Sequence, residues 1–254
     1  MECDHDRRTH EAHAGRKPLH GAPGVRHSSR AQVRSAERLA AALAMIAGFV
    51  DAYGMITYGV YVSFMSGNTT QTGYQAAEGA FGPASLSALA ILFFVVGSFA
   101  GTLMIEFAGR YAQQVLYCVV AAALAAIVGL TQLGMLSGAF AIAAISFAMG
   151  VMNNALSRVG AQAVSLTFVT GSLSRVGSSL ALALRRAPLR DAQGPWDTHL
   201  RRALLLARLW LGFVVGAFLS GAATPRYGAL VLSAPALILA VLAAFDRPER
   251  GAAR

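Results

Sequence analysis

Charge is what this sequence lacks most. Only 13% of its 254 residues are Asp, Glu, Lys or Arg, about half the share carried by an ordinary soluble domain. From Ala112 to Ser157 no side chain is charged at all. A soluble fold cannot wet its surface on that allowance, so the membrane class comes first. Cysteine is scarce too. Cys3 stands near the start and Cys118 inside an apolar run, so no disulfide framework and no metal-ligand spacing can be built from them. The chain has no nucleotide-binding loop, no Gly-x-Ser-x-Gly elbow, no His-Glu-x-x-His pair and no paired-carboxylate motif. The expectation is a protein that is not an enzyme, with no cofactor and no metal. The net charge of +9 does not point to nucleic acid, because the Arg residues flank apolar runs and no nucleic-acid fold signature accompanies them.

What is present is apolar sequence. Hydrophobic residues make up 56% of the chain, and the mean hydropathy is +0.53. A span needs about 20 apolar residues to cross roughly 30 Å of hydrocarbon. Six segments qualify: Leu39–Thr57, Leu86–Ile105, Ala112–Leu130, Gly138–Leu156, Ala203–Ala223 and Tyr227–Phe245. The expected fold is an all-α polytopic membrane helix bundle of about six spans plus two short broken or re-entrant helices. Residues 1–35 read as a disordered, basic, His-rich cytoplasmic tail, 36–245 as the transmembrane domain and 246–254 as a short cytoplasmic tail. Five of the six histidines fall in the first tail, where a solvated segment is the reading. The tail and the 185–202 linker hold the basic clusters, which places both termini in the cytoplasm by the positive-inside rule. Arg226 is then the one mild violation.

The domain also reads as two copies of one unit, about 39–130 and 138–245. "FMSGNTTQTG" at 64–73 aligns with "FVTGSLSRVG" at 168–177. "VVGSF" at 95–99 aligns with "VVGAF" at 214–218, "RYAQQVL" at 110–116 with "RYGALVL" at 226–232, and, more loosely, "AGFVDA" at 47–52 with "MGVMNN" at 149–154. With three crossings per unit, the copies are expected to be inverted, an arrangement typical of secondary transporters with a site at the repeat interface.

The candidate site residues follow from the polar turns. Ser66, Gly67, Asn68, Thr69 and Thr70 read as a helix start, with Ser66 or Asn68 as its cap, and Thr170, Gly171 and Ser172 as its counterpart. Such starts offer N–H groups to a polar or anionic ligand, and small residues at helix contacts offer close packing instead; both readings stand. Asp51 is the sharper signal, the one acid in the first span. A carboxylate at that depth must be paired, hydrated or protonated, and Arg175 is the expected partner. Asn153 and Asn154 occupy the matching place in the second half.

The run "AGFVDAYGMITYGVYVSFMSGNTTQTG" (47–73) resembles the signature of the YoaK-like family of bacterial membrane proteins, domain of unknown function 1275. Its members carry a Gly-x-x-Asp-Ala segment, a Phe-x-x-x-Thr-Gly-Asn turn and a Thr-Gly turn in the second half; this chain has Ser66 for the first Thr. The resemblance covers about residues 36–245 and implies a multi-pass inner-membrane protein. It carries no settled substrate or reaction. The residues favour a small secondary transporter, proton-coupled through Asp51, whose partners are the lipid bilayer, a small polar or anionic solute and protons. The alternative is a non-catalytic membrane scaffold or regulator.

Overall fold

The computed structural model describes residues 30–155, 158–159, 162–163, 169–189, 191–192 and 194–245. The His-rich tail up to residue 29, most of the 156–168 connection and the segment 246–254 lie outside the described residues. Among the described residues there are eight α-helices: α1 (Arg30–Tyr58), α2 (Met65–Ala77), α3 (Phe81–Ala108), α4 (Ala112–Gln132), α5 (Gly138–Met152), α6 (Val169–Leu184), α7 (His199–Tyr227) and α8 (Ser233–Phe245). Two 3-10 turns and one antiparallel pair, Arg158–Val159 with Gln162–Ala163, complete them. The all-α expectation holds.

Boundaries shift where local chemistry overrides the apolar count. Helix α1 begins at Arg30, inside the expected tail, because Val33 is buried and pulls the preceding turn into the bundle. Helix α7 begins at His199 and runs to Tyr227, so the expected sixth span is longer at both ends. Thr198 caps its start by accepting from the Arg201 N–H at 3.2 Å. Helices α3 and α4 would form one rod of about 78 Å if 52 residues ran unbroken. Gly109 breaks them at φ 53° and ψ −118°, a backbone that favours glycine. Gly228 does the same at φ 53° and ψ −135° between α7 and α8.

Three helical stretches are long and apolar enough to cross a membrane, Val33–Tyr58, Phe81–Gln132 and His199–Phe245, the last two counted across their breaks at Gly109 and Gly228; Gly138–Met152 is shorter. The side chains are sorted inside out relative to a soluble fold. Phe99, Phe107, Phe218, Leu237 and Phe245 are exposed, whereas Asp51, Asn68, Ser146 and Ser220 are buried. Water would penalise such an apolar surface; hydrocarbon does not.

Helix pairing crosses between the two halves. The largest contacts are α1 with α7 and α3 with α5, followed by α4 with α8, α6 with α7 and α2 with α3. Both leading pairs run parallel. Glu37 meets Arg201 near the starts of α1 and α7, and Gly48 meets Phe213 further along both. Gly97 meets Phe147, and Thr102 meets Asn154, along α3 and α5. Glycine makes the approach possible. A Cβ on Gly48 would stand 2.0 Å from the Phe213 carbonyl oxygen, and one on Gly150 would stand 2.2 Å from that of Phe94. A Cβ on Gly97 would reach the Phe147 oxygen at 2.1 Å, and one on Gly216 the Met45 oxygen at 1.9 Å. These four contacts fall at corresponding positions of the two aligned halves. Two three-helix bundles result, α1–α6–α7 and α2–α3–α5, each drawing helices from both halves.

At the linker, Arg202 binds Asp197 at 2.8 Å and Asp191 at 3.0 Å. Arg201 pairs with Glu37 and lies 4.5 Å over the Trp196 ring. These contacts hold Asp191, Trp196 and Asp197 against the start of α7.

Gly97→Ala and Gly216→Ala should each lower the thermal midpoint by roughly 5–10 °C, the effect of about 2–3 kcal/mol of overpacking. Gly73→Ala, where an added Cβ meets nothing within 4 Å, should leave it unchanged or slightly higher. Thermal unfolding of the detergent-purified chain reads both.

Candidate functional site

The turn after α1 is built by two side chains. At Gly59 the backbone takes φ 70°, and the chain doubles back along the last two turns of α1. Gly54 leaves room for it: a Cβ there would stand 2.7 Å from Val62 Cγ1 and 3.0 Å from the Val60 carbonyl oxygen. The returning strand is not helical, so its N–H groups need partners. Asp51 supplies three. Its Oδ1 accepts from Val62 N at 2.9 Å, Ser63 N at 2.7 Å and Phe64 N at 3.3 Å. Asn68 supplies the next: its Oδ1 accepts from Tyr61 N at 3.1 Å while its Nδ2 donates to the Tyr61 carbonyl. Four consecutive N–H groups are thus taken up by one carboxylate and one amide, at 3% and 0% exposure.

Helix α2 then climbs back. Gln71 Nε2 donates to the Gly59 carbonyl at 3.4 Å, and Ser87 on α3 donates to Gln71 Oε1 at 3.4 Å. The chain therefore descends from the level of Gly59 to that of Asp51, about 12 Å by helix rise, and returns within α2.

The expected roles of the first turn change accordingly. The N-cap of α2 is Phe64, without a side-chain cap. Ser66 and Asn68 therefore lie inside the first helical turn and do not cap it. Gly67 serves packing: a Cβ there would stand 2.5 Å from the Phe64 ring and 2.9 Å from that of Tyr61. Those two rings meet edge to face at 5.3 Å. Ser66, Thr69 and Thr70 are exposed; Thr69 donates to the Met65 carbonyl at 2.8 Å and Thr70 to that of Ser66 at 3.1 Å. Asp51 takes the N–H groups of Val62, Ser63 and Phe64, which precede α2; at the helix start itself, the N–H groups of Gly67 and Asn68 go to the Phe64 carbonyl at 3.1 and 3.3 Å.

Asp51 and Arg175 form no ion pair among the described residues; the acid meets the backbone of Val62, Ser63 and Phe64 and the Ser63 side chain. Arg175 is exposed on α6, which packs against α7. Thr170, Gly171 and Ser172 stand in the first turn of α6, and residues 164–168 before it lie outside the described set. The two short helices do not pack on each other: α2 lies on α3 and α6 on α7. Asn154 faces α3. Its Nδ2 donates to the carbonyls of Ser98 and Gly150, each at 3.1 Å, and its Oδ1 accepts from Thr102 at 3.3 Å. Asn153 is half-buried and closes the end of α5. A groove of about 860 Å³ runs between α4 and α8, lined by Cys118, Ala122, Ala125, Ser233 and Ala240 among others, away from Asp51.

Two polar residues escaped the sequence reading. The Ser63 side chain is buried against the Asp51 carboxylate, and Ser146 Oγ is buried with no hydrogen-bond partner among the described residues. The available signal for Ser146 is that it is the one hydroxyl in the apolar run of α5.

The family profile described as a protein of unknown function, DUF1275, matches residues 39–245. The chain belongs to the DUF1275 family. The UPF0700 transmembrane protein RA0705 of Rhizobium meliloti (strain 1021) is 32% identical over 221 residues, covering 85% of this chain and 89% of the relative. No solved structure matches. Membership in the DUF1275 family and the transmembrane relative agree with the inside-out surface: this is a multi-pass membrane protein.

Asp51→Ala would strand three buried N–H groups at a cost of about 3–5 kcal/mol. Asn68→Ala would strand the Tyr61 N–H and C=O. Hydrogen exchange should accelerate at residues 61–64 in both variants while the α3–α5 pair stays protected. Unchanged exchange in that strand would show that the two side chains do not hold it.

Proposed function

We propose that this chain is a small secondary transporter of the cell inner membrane, with both termini in the cytoplasm. It carries a small polar or anionic solute at the expense of an ion gradient. In this reading the two halves are inverted repeats. Helix α1 begins the first half and runs parallel to α7; α5 begins the second and runs parallel to α3. The contacts of Gln71 with Gly59 and Ser87 set α3 antiparallel to α1, so α1 and α5 run oppositely.

The exchange of helices between halves is the observation that carries the proposal. Each bundle is tied internally by glycine–carbonyl contacts; between them α1 meets α5 over a thin seam, and α4 packs on both α5 and α8. Two bodies tied more closely within themselves than to each other are what alternating access by rocking requires. Helix α2 belongs to one body and α6 to the other, so a solute held between them is gripped by both. Asp51 sits where the chain passes from the first body to the second and fixes that passage.

Two experiments test this. Proteoliposomes containing the full chain should take up at least one member of a labelled panel (acetate, benzoate, glutamate and phosphate) several-fold above empty vesicles. Asp51→Ala should abolish that uptake. No uptake across the panel overturns the solute class. A topology reporter fused after Gly134 should report the outer face, and one fused after Ala187 the cytoplasm. An outer-face signal after Ala187 would mean that α6 crosses the membrane and that the repeats are parallel.

A further inference from the structure

The start of the α1–α7 pair holds more arginine than acid. Glu37 is taken by Arg201, and Asp191 and Asp197 are taken by Arg202. Arg34, Arg38 and Arg208 are left exposed, with no ion pair among the described residues. Arg208 stands in the least hospitable place. It lies nine residues into α7, about 14 Å along the axis. Beside it on that helix Leu204 and Leu211 are exposed, at 48% and 51%. A guanidinium on a lipid-facing apolar surface is costly unless its stem carries it toward the headgroups and an anion meets it.

Packing decides which way Arg38 and Arg208 face. The parallel helices touch along Ala41, Met45 and Gly48 on α1 and along Gly212 and Gly216 on α7. Each helix then has two flanks beside that contact. Ala40, Ala44 and Ala47 turn one flank of α1 into the core, and Leu206 and Leu209 do the same for α7. At about 100° per residue, Arg38 and Arg208 fall on the remaining flanks, which lie on one side of a parallel pair. Their levels agree as well. A Cβ on Gly212 would stand 3.0 Å from the Ala41 carbonyl oxygen. Arg208, one turn before Gly212, is therefore within about a turn of Arg38, which comes just before Ala41. Side chains lean toward the start of their helix, so both guanidinium groups point to the same membrane surface. Further along, that side is apolar: Phe49 is half-buried on α1, and Val215 and Leu219 are exposed on α7.

We propose that Arg38 and Arg208 hold the phosphate of an anionic phospholipid, whose acyl chains lie along the apolar side of the α1–α7 pair. Guanidinium forks match phosphate oxygens in geometry and charge. Arg34, one turn before Arg38, adds positive charge nearer the surface. A zwitterionic lipid brings its own cation to the same place and gains less. Phosphate in water could meet the two arginines but gains nothing from the leucines around Arg208. The lipid bridges the two helices that Gly48 and Gly216 bring into contact, and so reinforces that pair. Only the membrane class and the α1–α7 contacts are needed for this; transport is not.

The full chain, delipidated in an uncharged detergent, is titrated with phosphatidylglycerol, with phosphatidylcholine of the same acyl chains, and with inorganic phosphate. Thermal midpoint and lipid bound per chain, by native mass spectrometry, are both read. Phosphatidylglycerol should bind saturably and raise the midpoint, and the other two should not. Arg38→Gln should raise the phosphatidylglycerol half-saturation about fivefold, the share of one arginine near an anionic surface. Arg208→Leu should do the same, while its midpoint without lipid equals or exceeds the native value, because an unpaired charge has left an apolar surface. Arg226→Gln, at the far end of α7, should change neither reading. Equal responses to the two lipids, or native phosphatidylglycerol affinity in both Arg38→Gln and Arg208→Leu, overturns the site. So does loss of folding in Arg208→Leu, which would mean that protein rather than lipid meets the guanidinium. A response to inorganic phosphate equal to that to phosphatidylglycerol would put a soluble anion there instead and overturn the lipid.

Discussion

A backbone N–H buried away from water must find an acceptor, and in a membrane protein that requirement is close to absolute. Most of this chain meets it with helices. The one described stretch that abandons helix inside the bundle, residues 60–64, meets it with two side chains. Asp51 takes three N–H groups and Asn68 mimics a neighbouring strand for Tyr61. The rest of the local structure follows. Gly54 lets the strand lie against α1, Gly67 lets the Tyr61 and Phe64 rings lie over the start of α2, and α2 is set in place against α3. The acid that looked like a chemical group is in the first place an acceptor for the protein's own backbone.

Packing between helices rests on a different economy. With little hydrophobic drive between helices in lipid, close van der Waals approach has to hold them together. Gly48, Gly97, Gly150 and Gly216 each admit a carbonyl oxygen of the opposing helix where a methyl group could not fit. Because two of these contacts join α1 to α7 and two join α3 to α5, the halves are interlaced rather than set side by side. Neither half could keep its bundle without the other.

Much of this architecture was legible in the residues. Six apolar runs and two polar turns map onto six long or apolar helices and two short ones, because hydrophobic length is a direct measure of what can cross hydrocarbon. The alignment of "VVGSF" with "VVGAF" marked Gly97 and Gly216, which make corresponding contacts. The partner of Asp51 was not legible. Arg175 is the natural choice by charge, yet the acid is met by the backbone of Val62, Ser63 and Phe64, groups that every residue carries and no composition reveals. Asn154 shows the same limit: its sequence position matched it to the Asp51 region, but its helical face turned it to Ser98 and Thr102 on α3.

By itself, then, the sequence determined the membrane class, the helical content, the number of polar interruptions and the family, since all of these depend on the order and apolarity of residues along the chain. Only the tertiary structure decided which N–H groups the buried carboxylate serves, that α1 and α3 pair with helices of the opposite half, and that the Ser146 hydroxyl is left without a partner among the described residues. Those outcomes depend on the direction in which a side chain points across a helix contact. Several chain-distant segments set that direction together, and no local stretch of sequence encodes it.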